Sequence, residues 1–193
     1  SEQRLLSLQR RLGRALSQSD ELLALFAAIL RISEIEGGAL ANSFKRIDLS
    51  ALVSDLCESY QPAVSDGGRN LTFAVAPEIT IQGDKELLAQ ALINLLDNAQ
   101  HHTPPGTQIT VLLAIADGRA HLAVADDGPG VAEADRAHVV RRFGRLDSSR
   151  ATAGHGLGLN LVAAVVRIHQ GEMVIGDNHP GLRVTLILPG NGR

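Results

Sequence analysis

The sequence is most informative at Gln90-Ala91-Leu92-Ile93-Asn94-Leu95-Leu96-Asp97-Asn98-Ala99-Gln100-His101-His102. Leu88, Leu92, Leu95 and Ala99 recur at helical spacing and form a stripe suited to burial. Asn94 and Asn98 stand four apart, and His101 or His102 follows three or four residues later, so these side chains share a different face. A neutral amide oxygen can ligate Mg²⁺ without adding charge beside a triphosphate, and an imidazole can donate to phosphate. Solvated polar residues on an amphipathic helix would give the same pattern, and taken alone the stretch favours that plainer reading.

Working outward, Val124-Ala125-Asp126-Asp127-Gly128-Pro129-Gly130 places a carboxylate at the end of an apolar strand. Such a group can accept a hydrogen bond from adenine's exocyclic amine, and glycines let backbone approach the ring; a tight acidic turn is the ordinary alternative. Further on, Gly154-His155-Gly156-Leu157-Gly158-Leu159 opens a helix. Free amides at a helix start bind anions, and glycines bring them against phosphate oxygens. A dinucleotide-binding fold would carry this run directly after its first strand, so its late position argues against that fold, and the missing Gly-Lys-Ser/Thr excludes P-loop chemistry.

The remaining elements follow from caps and periodicity. Residues 1–36 lack proline, and Leu5, Leu8, Leu12, Ala15, Ser19, Leu22, Phe26 and Ile29 trace a heptad seam that Leu16, Leu23 and Leu30 widen toward a bundle helix. Gly37-Gly38 supplies its stop. A strand near Phe44–Ile47 then precedes a helix capped by Asp48 or Ser50 and closed by Gly67-Gly68. Leu71–Ala76 and Ile79–Gln82 read as strands paired with each other around Pro77-Glu78. Asp84 starts the helix that ends at Thr103-Pro104-Pro105-Gly106. Strands Gln108–Ala116 and Ala120–Ala125 join at Asp117-Gly118, a short helix is expected near Ala132–Arg142, and a further helix spans about Leu157–His169. Strands Glu172–Ile175 and Leu182–Leu188 complete the order. The predicted fold is a two-layer α/β sandwich, its mixed sheet covered on one face by helices and preceded by a long amphipathic helix.

Composition narrows the function. With 193 residues, 45% hydrophobic and 20% charged, the chain can bury a core and is not disordered. A net charge of −3 and 3% aromatics argue against a dedicated nucleic-acid binder. The single Cys57 forbids an internal disulfide and fits a reducing compartment. The longest apolar run, the nine residues Leu22–Leu30, is too short to span a bilayer, so no membrane contact is expected of this chain. A start at Ser1 and a lone Met173 suggest a fragment or processed chain.

Together, in this order, the motifs resemble the ATP-binding domain of sensor histidine kinases, in the superfamily shared with gyrase, mismatch-repair ATPases and heat-shock chaperones. Asn94 through Pro104 resembles its asparagine box, Asp126–Gly130 and Gly154–Leu159 its two glycine boxes, and Val140–Arg145 its phenylalanine box. The resemblance covers about residues 44–189, while residues 1–38 look like the second helix of a dimerisation hairpin and 39–193 like the catalytic domain. It implies Mg²⁺-ATP as cofactor, with Asn98 as metal ligand supported by Asn94. His101 and His102 would lie beside the nucleotide, Asp126 would read adenine, and Arg145 would meet the γ-phosphate. Gly128, Gly130, Gly154, His155, Gly156, Leu157, Gly158 and Leu159 would line the nucleotide, and residues 131–155 would be a mobile lid. The implied partners are a response-regulator receiver domain and the parent's phosphoacceptor helix, in a cytoplasmic homodimer.

Several positions depart from the family's pattern. Val140 and Gly144 replace aromatics of the phenylalanine box, and Arg183 stands where a small hydroxyl residue is common near adenine. Residues 1–100 contain no histidine, so the acceptor box is missing. In the water-splitting relatives a glutamate base lies four residues before the metal-binding asparagine; Asn94 stands there and cannot take a proton. The expected activity is transfer of the γ-phosphoryl to a histidine, with an ATP-sensing scaffold as the alternative and an ATPase the weaker third.

Overall fold

The computed structural model describes residues 44–130 and 157–190, together with isolated positions between Ser19 and Gly37. The expected helix near Ala132–Arg142 lies outside these residues. So does most of the expected long N-terminal helix, although Leu23, Phe26, Ala27, Ile29, Leu30 and Ile32 are helical where described. The described elements are β1 (Lys45–Asp48), α1 (Leu49–Asp66), β2 (Asn70–Val75), β3 (Thr80–Gly83) and α2 (Lys85–His102), then β4 (Gln108–Ala116), β5 (Arg119–Asp126), α3 (Leu157–Ile168), β6 (Glu172–Asp177) and β7 (Leu182–Pro189).

Local chemistry sets the boundaries. Asp48 caps α1 by accepting from the Ala51 amide at 2.9 Å. Ser50, the other candidate cap, instead donates to the Ala76 carbonyl at 2.6 Å and accepts from the Ile79 amide at 3.0 Å. Asp84 caps α2, its Oδ1 taking the Glu86 and Leu87 amides, both at 3.1 Å. Asp117 and Gly118, at φ 51° and 73°, form the tight β4–β5 turn, where two left-handed residues match the twist of the strands.

A five-stranded mixed sheet in the order β2-β4-β5-β7-β6 packs against the helices. Ile109, Val111 and Leu113 of β4, Leu122 and Val124 of β5, and Val184, Leu186 and Leu188 of β7 meet Leu87, Leu92, Leu96, Val162 and Val165 in one core. Alternate positions of β7 are buried, as one covered face requires.

The pairing of Leu71–Ala76 with Ile79–Gln82 is not what forms. β2 runs parallel to β4, from Asn70 opposite Gln108 to Val75 opposite Leu113. β3 pairs antiparallel with β1 in a separate two-stranded sheet. Two contacts explain the split. The Ala76 amide continues the β2–β4 ladder onto the Leu113 carbonyl at 2.9 Å, and the Ile79 carbonyl is already taken by the Leu49 amide at 2.8 Å. Pro77 between them has no N–H with which to start a hairpin ladder.

Candidate functional site

The end of β5 and the C-terminal half of α2 meet at a cluster of polar groups. Asp126 is 8% exposed. Its Oδ1 accepts from the Gly128 amide at 3.0 Å and from the Leu182 amide at 3.4 Å. Among the described residues no donor reaches its second carboxylate oxygen. Burial holds the carboxyl above its usual range; the two amides pull it back, the Asp127 charge adds to the rise and His102 opposes it. A carboxylate with one oxygen anchored and the other open is arranged to accept a donor from a bound molecule.

Gly128 fits here only without a side chain. A Cβ would lie 2.7 Å from Cγ2 of Thr103 and 2.9 Å from Oδ1 of Asp126. Gly130, at φ 68°, is left-handed, and a Cβ there would press on the Gly181 carbonyl at 3.1 Å.

On α2 the two asparagines differ. Asn94 donates through Nδ2 to the Gln90 carbonyl at 2.8 Å, and its Oδ1 faces Gly158 in the first turn of α3, 2.9 Å from where a Cβ would stand. Half-buried Asn98 has no hydrogen bond to its amide among the described residues, so a neutral oxygen donor is available to a cation. His101 is exposed, with Nδ1 2.8 Å from the Asp97 carbonyl, so that Nδ1 carries the proton and Nε2 faces away from this bond. Exposed His102 is close enough to act on the charge of Asp126. Leu157 opens α3, and the side chain of Leu159, 7% exposed, is part of the core. Arg145, Gly154, His155 and Gly156 lie outside the described residues, as does the expected lid.

Two close approaches, Asn94 to Gly158 and Thr103 to Gly128, and the electrostatic influence of His102 on Asp126 therefore link the separated motifs. Thr103, read from the sequence as a helix stop at the end of the asparagine box, ties this arrangement together. Its hydroxyl donates to the Ala99 carbonyl at 2.7 Å and accepts Nε of Arg69 at 3.0 Å. Arg69 also binds the Thr103 carbonyl, holding the last turn of α2. Asp97 is fixed from the opposite side by the Tyr60 hydroxyl of α1 at 2.5 Å. Neither Arg69 nor Tyr60 carries a local sequence signal, since each works across more than 30 residues.

The model of the family described as "Histidine kinase-, DNA gyrase B-, and HSP90-like ATPase" matches residues 83–192, more than half of the chain. The chain belongs to that family. Within this histidine kinase-like ATPase family it is a catalytic ATP-binding domain of the kind carried by two-component sensor histidine kinases. It is 35% identical over 182 residues to the signal transduction histidine-protein kinase/phosphatase MprB of Mycobacterium sp. (strain KMS), covering 91% of this chain and 34% of that protein. It is 31% identical over 166 residues to the sensor histidine kinase CusS of Escherichia coli O157:H7, covering 85% of this chain and 34% of that protein. The chain thus spans about a third of the length of these relatives. Among solved structures, a mycobacterial sensor histidine kinase MprB matches with a TM-score of 0.62 at 32% identity, over 77% of this chain and 100% of that one. Full-length ShkA in complex with AMPPNP matches with a TM-score of 0.69 at 28% identity, over 94% of this chain and 39% of that one. No described helix is long and apolar enough to cross a membrane.

Proposed function

We propose that this domain binds Mg²⁺-ATP and passes the γ-phosphoryl group to a histidine on a helical domain of its parent protein. A response-regulator aspartate would be the next acceptor, and the parent would be a homodimer with this domain in the cytoplasm, free or as part of a membrane-anchored sensor, and with residues 1–38 as one helix of its dimerisation hairpin. The observation that carries this reading is Asp126: a buried carboxylate whose anchored oxygen leaves the other to accept the adenine amine. The charge-free amide of Asn98 suits Mg²⁺, which would offset charge on the phosphates when bound. The basic residues His101 and Arg145, and the amides around Gly154–Leu159, are the proposed phosphate contacts.

In the transfer, a neutral imidazole nitrogen of the acceptor attacks the γ-phosphorus. A P–N bond forms, the bond from the γ-phosphorus to the β–γ bridging oxygen breaks, and ADP leaves with that electron pair. Such a reaction needs positioning and charge neutralisation more than a base. Asn94 supports transfer over hydrolysis, because its amide has no basic site for a water proton and its nitrogen is already bonded to the Gln90 carbonyl.

A second reading, an ATP-binding scaffold without transfer, applies if the parent also lacks an acceptor histidine, as residues 1–100 do. Labelled ATP separates the two. The chain alone should gain no acid-labile phosphoryl group, yet should label a supplied helical domain carrying the parent's acceptor histidine. Asn98→Ala should abolish that labelling and keep the fold, since the amide lies off the buried stripe. Labelling of the chain by itself would contradict a separate acceptor, no transfer would support the scaffold, and full transfer by the variant would remove Asn98 from the metal.

A further inference from the structure

The tip of the β6–β7 hairpin lies directly on the backbone of Asp126. Asn178 donates through Nδ2 to the Asp126 carbonyl at 2.9 Å, and accepts at Oδ1 from Nη2 of Arg183 at 3.1 Å. A guanidinium only donates, so Arg183 fixes which end of the Asn178 amide faces Asp126. The hairpin is itself closed by the Asn178 amide on the Gly181 carbonyl at 3.1 Å. Gly181, at φ 108°, admits the Asp126 carbonyl so closely that a Cβ would stand 1.8 Å from its oxygen. The next amide, that of Leu182, is one of the two anchors of Asp126 Oδ1. Arg183 stands opposite Ala125 in the β5–β7 register, one residue from the acid. One short hairpin therefore holds both the main chain and the carboxylate of the same residue.

We infer that Asn178 is a positioning residue for nucleobase recognition, with Arg183 orienting its amide, so that the open oxygen of Asp126 is held toward an exocyclic amine. This rests on the reading of Asp126 as the adenine contact. It gives a role to Arg183, which replaces a small hydroxyl residue by a side chain long enough to reach across the strand pair to Asn178.

The test compares ATP with purine riboside triphosphate, which lacks the exocyclic amine, by calorimetric titration of the whole 193-residue chain. For the unaltered protein ATP should bind more tightly. Asn178→Ala should lower ATP affinity by about threefold to tenfold, the span of one hydrogen bond, and leave the amine-free nucleotide unchanged. Arg183→Gln, which keeps the hairpin sequence otherwise intact, should narrow the same gap to a lesser degree. Equal losses for both nucleotides would mark a merely structural role and overturn the inference, as would an unchanged gap in both variants. Asp126→Asn separates the two levels of the argument. If it leaves the gap intact, the adenine reading itself fails; if it closes the gap while Asn178→Ala does not, only the positioning role fails.

Discussion

Asp126 shows how one side chain can be both structural and available. The amide oxygen introduced by Asp126→Asn could still accept from Gly128 and Leu182, so the substitution should keep the fold while losing the ionised acceptor. ATP affinity should fall by about 1.5–3 kcal/mol, roughly tenfold to a hundredfold, in a calorimetric titration. The pH dependence has a definite sign. Burial raises the carboxyl, so acidification protonates it earlier than an exposed aspartate, and protonation removes the acceptor. ATP affinity should therefore be full near neutrality and decline on acidification, beginning above the ordinary carboxylate value of about 3.9. An affinity flat down to about pH 4 would show that the ionised form is not the binding form. The acid, its glycines and the two asparagines were legible because each motif is local. Arg69, Thr103 and Asn178 were not, since their partners lie 34 and 52 residues away and neither spacing has a period.

Elements meet through similarly specific links. His169, just past the end of α3, is 3% exposed, stacks on Phe44 at 4.7 Å and accepts the Asp84 amide at Nε2 from 3.0 Å. Its Nδ1 donates to the Val165 carbonyl at 2.7 Å, which fixes a neutral tautomer joining α3 to the start of α2. Burial lowers its pKa, with the Val165 carbonyl and the Asp84 charge acting in the other direction. The unfolded chain then binds the proton more readily. Stability from this group is complete above the unfolded value of about 6.5 and is lost as pH falls below it toward the folded pKa. Urea midpoints should drop across that window, and His169→Gln should flatten the drop; an identical slope in the variant would acquit the histidine. At the other end of α2, Arg69→Ala should cost about 1–3 kcal/mol, because it strips charge-assisted bonds from a half-buried cap. Arg69→Lys should recover only part, as an ammonium cannot serve Thr103 and the Gly67 carbonyl with the same planar fork. Equal denaturation curves for all three proteins would refute the cap. Helix and strand positions were readable from caps and alternation, but the partners of β2 and β3 were not. Both strands present apolar faces, and the bonds that direct them to different sheets, those of Ala76 and Ile79 with Leu113, Leu49 and Ser50, are not local.

At the scale of the molecule, the core offers its own reporter. Cys57 is fully buried in α1, and burial pushes its thiol up to about 11. A thiol reagent should therefore modify the native domain only through opening of the core around α1, at a rate that follows global unfolding as urea is added. Fast labelling in buffer alone would mean that α1 detaches independently of the sheet.

The β6–β7 clamp also has a meaning in time. Asp126 leaves the ribosome before the amide of Leu182 that anchors it, which follows 56 residues later. At a synthesis rate of about 5–20 residues per second, that interval is roughly 3–11 s. During it β5 has β4 beside it but lacks β7, its other neighbour. In that interval the Gly128 amide, two residues on, is the one of the acid's two anchors already made. On the proposed adenine reading, the acid reaches its final setting only once β7 has been made and the sheet can close.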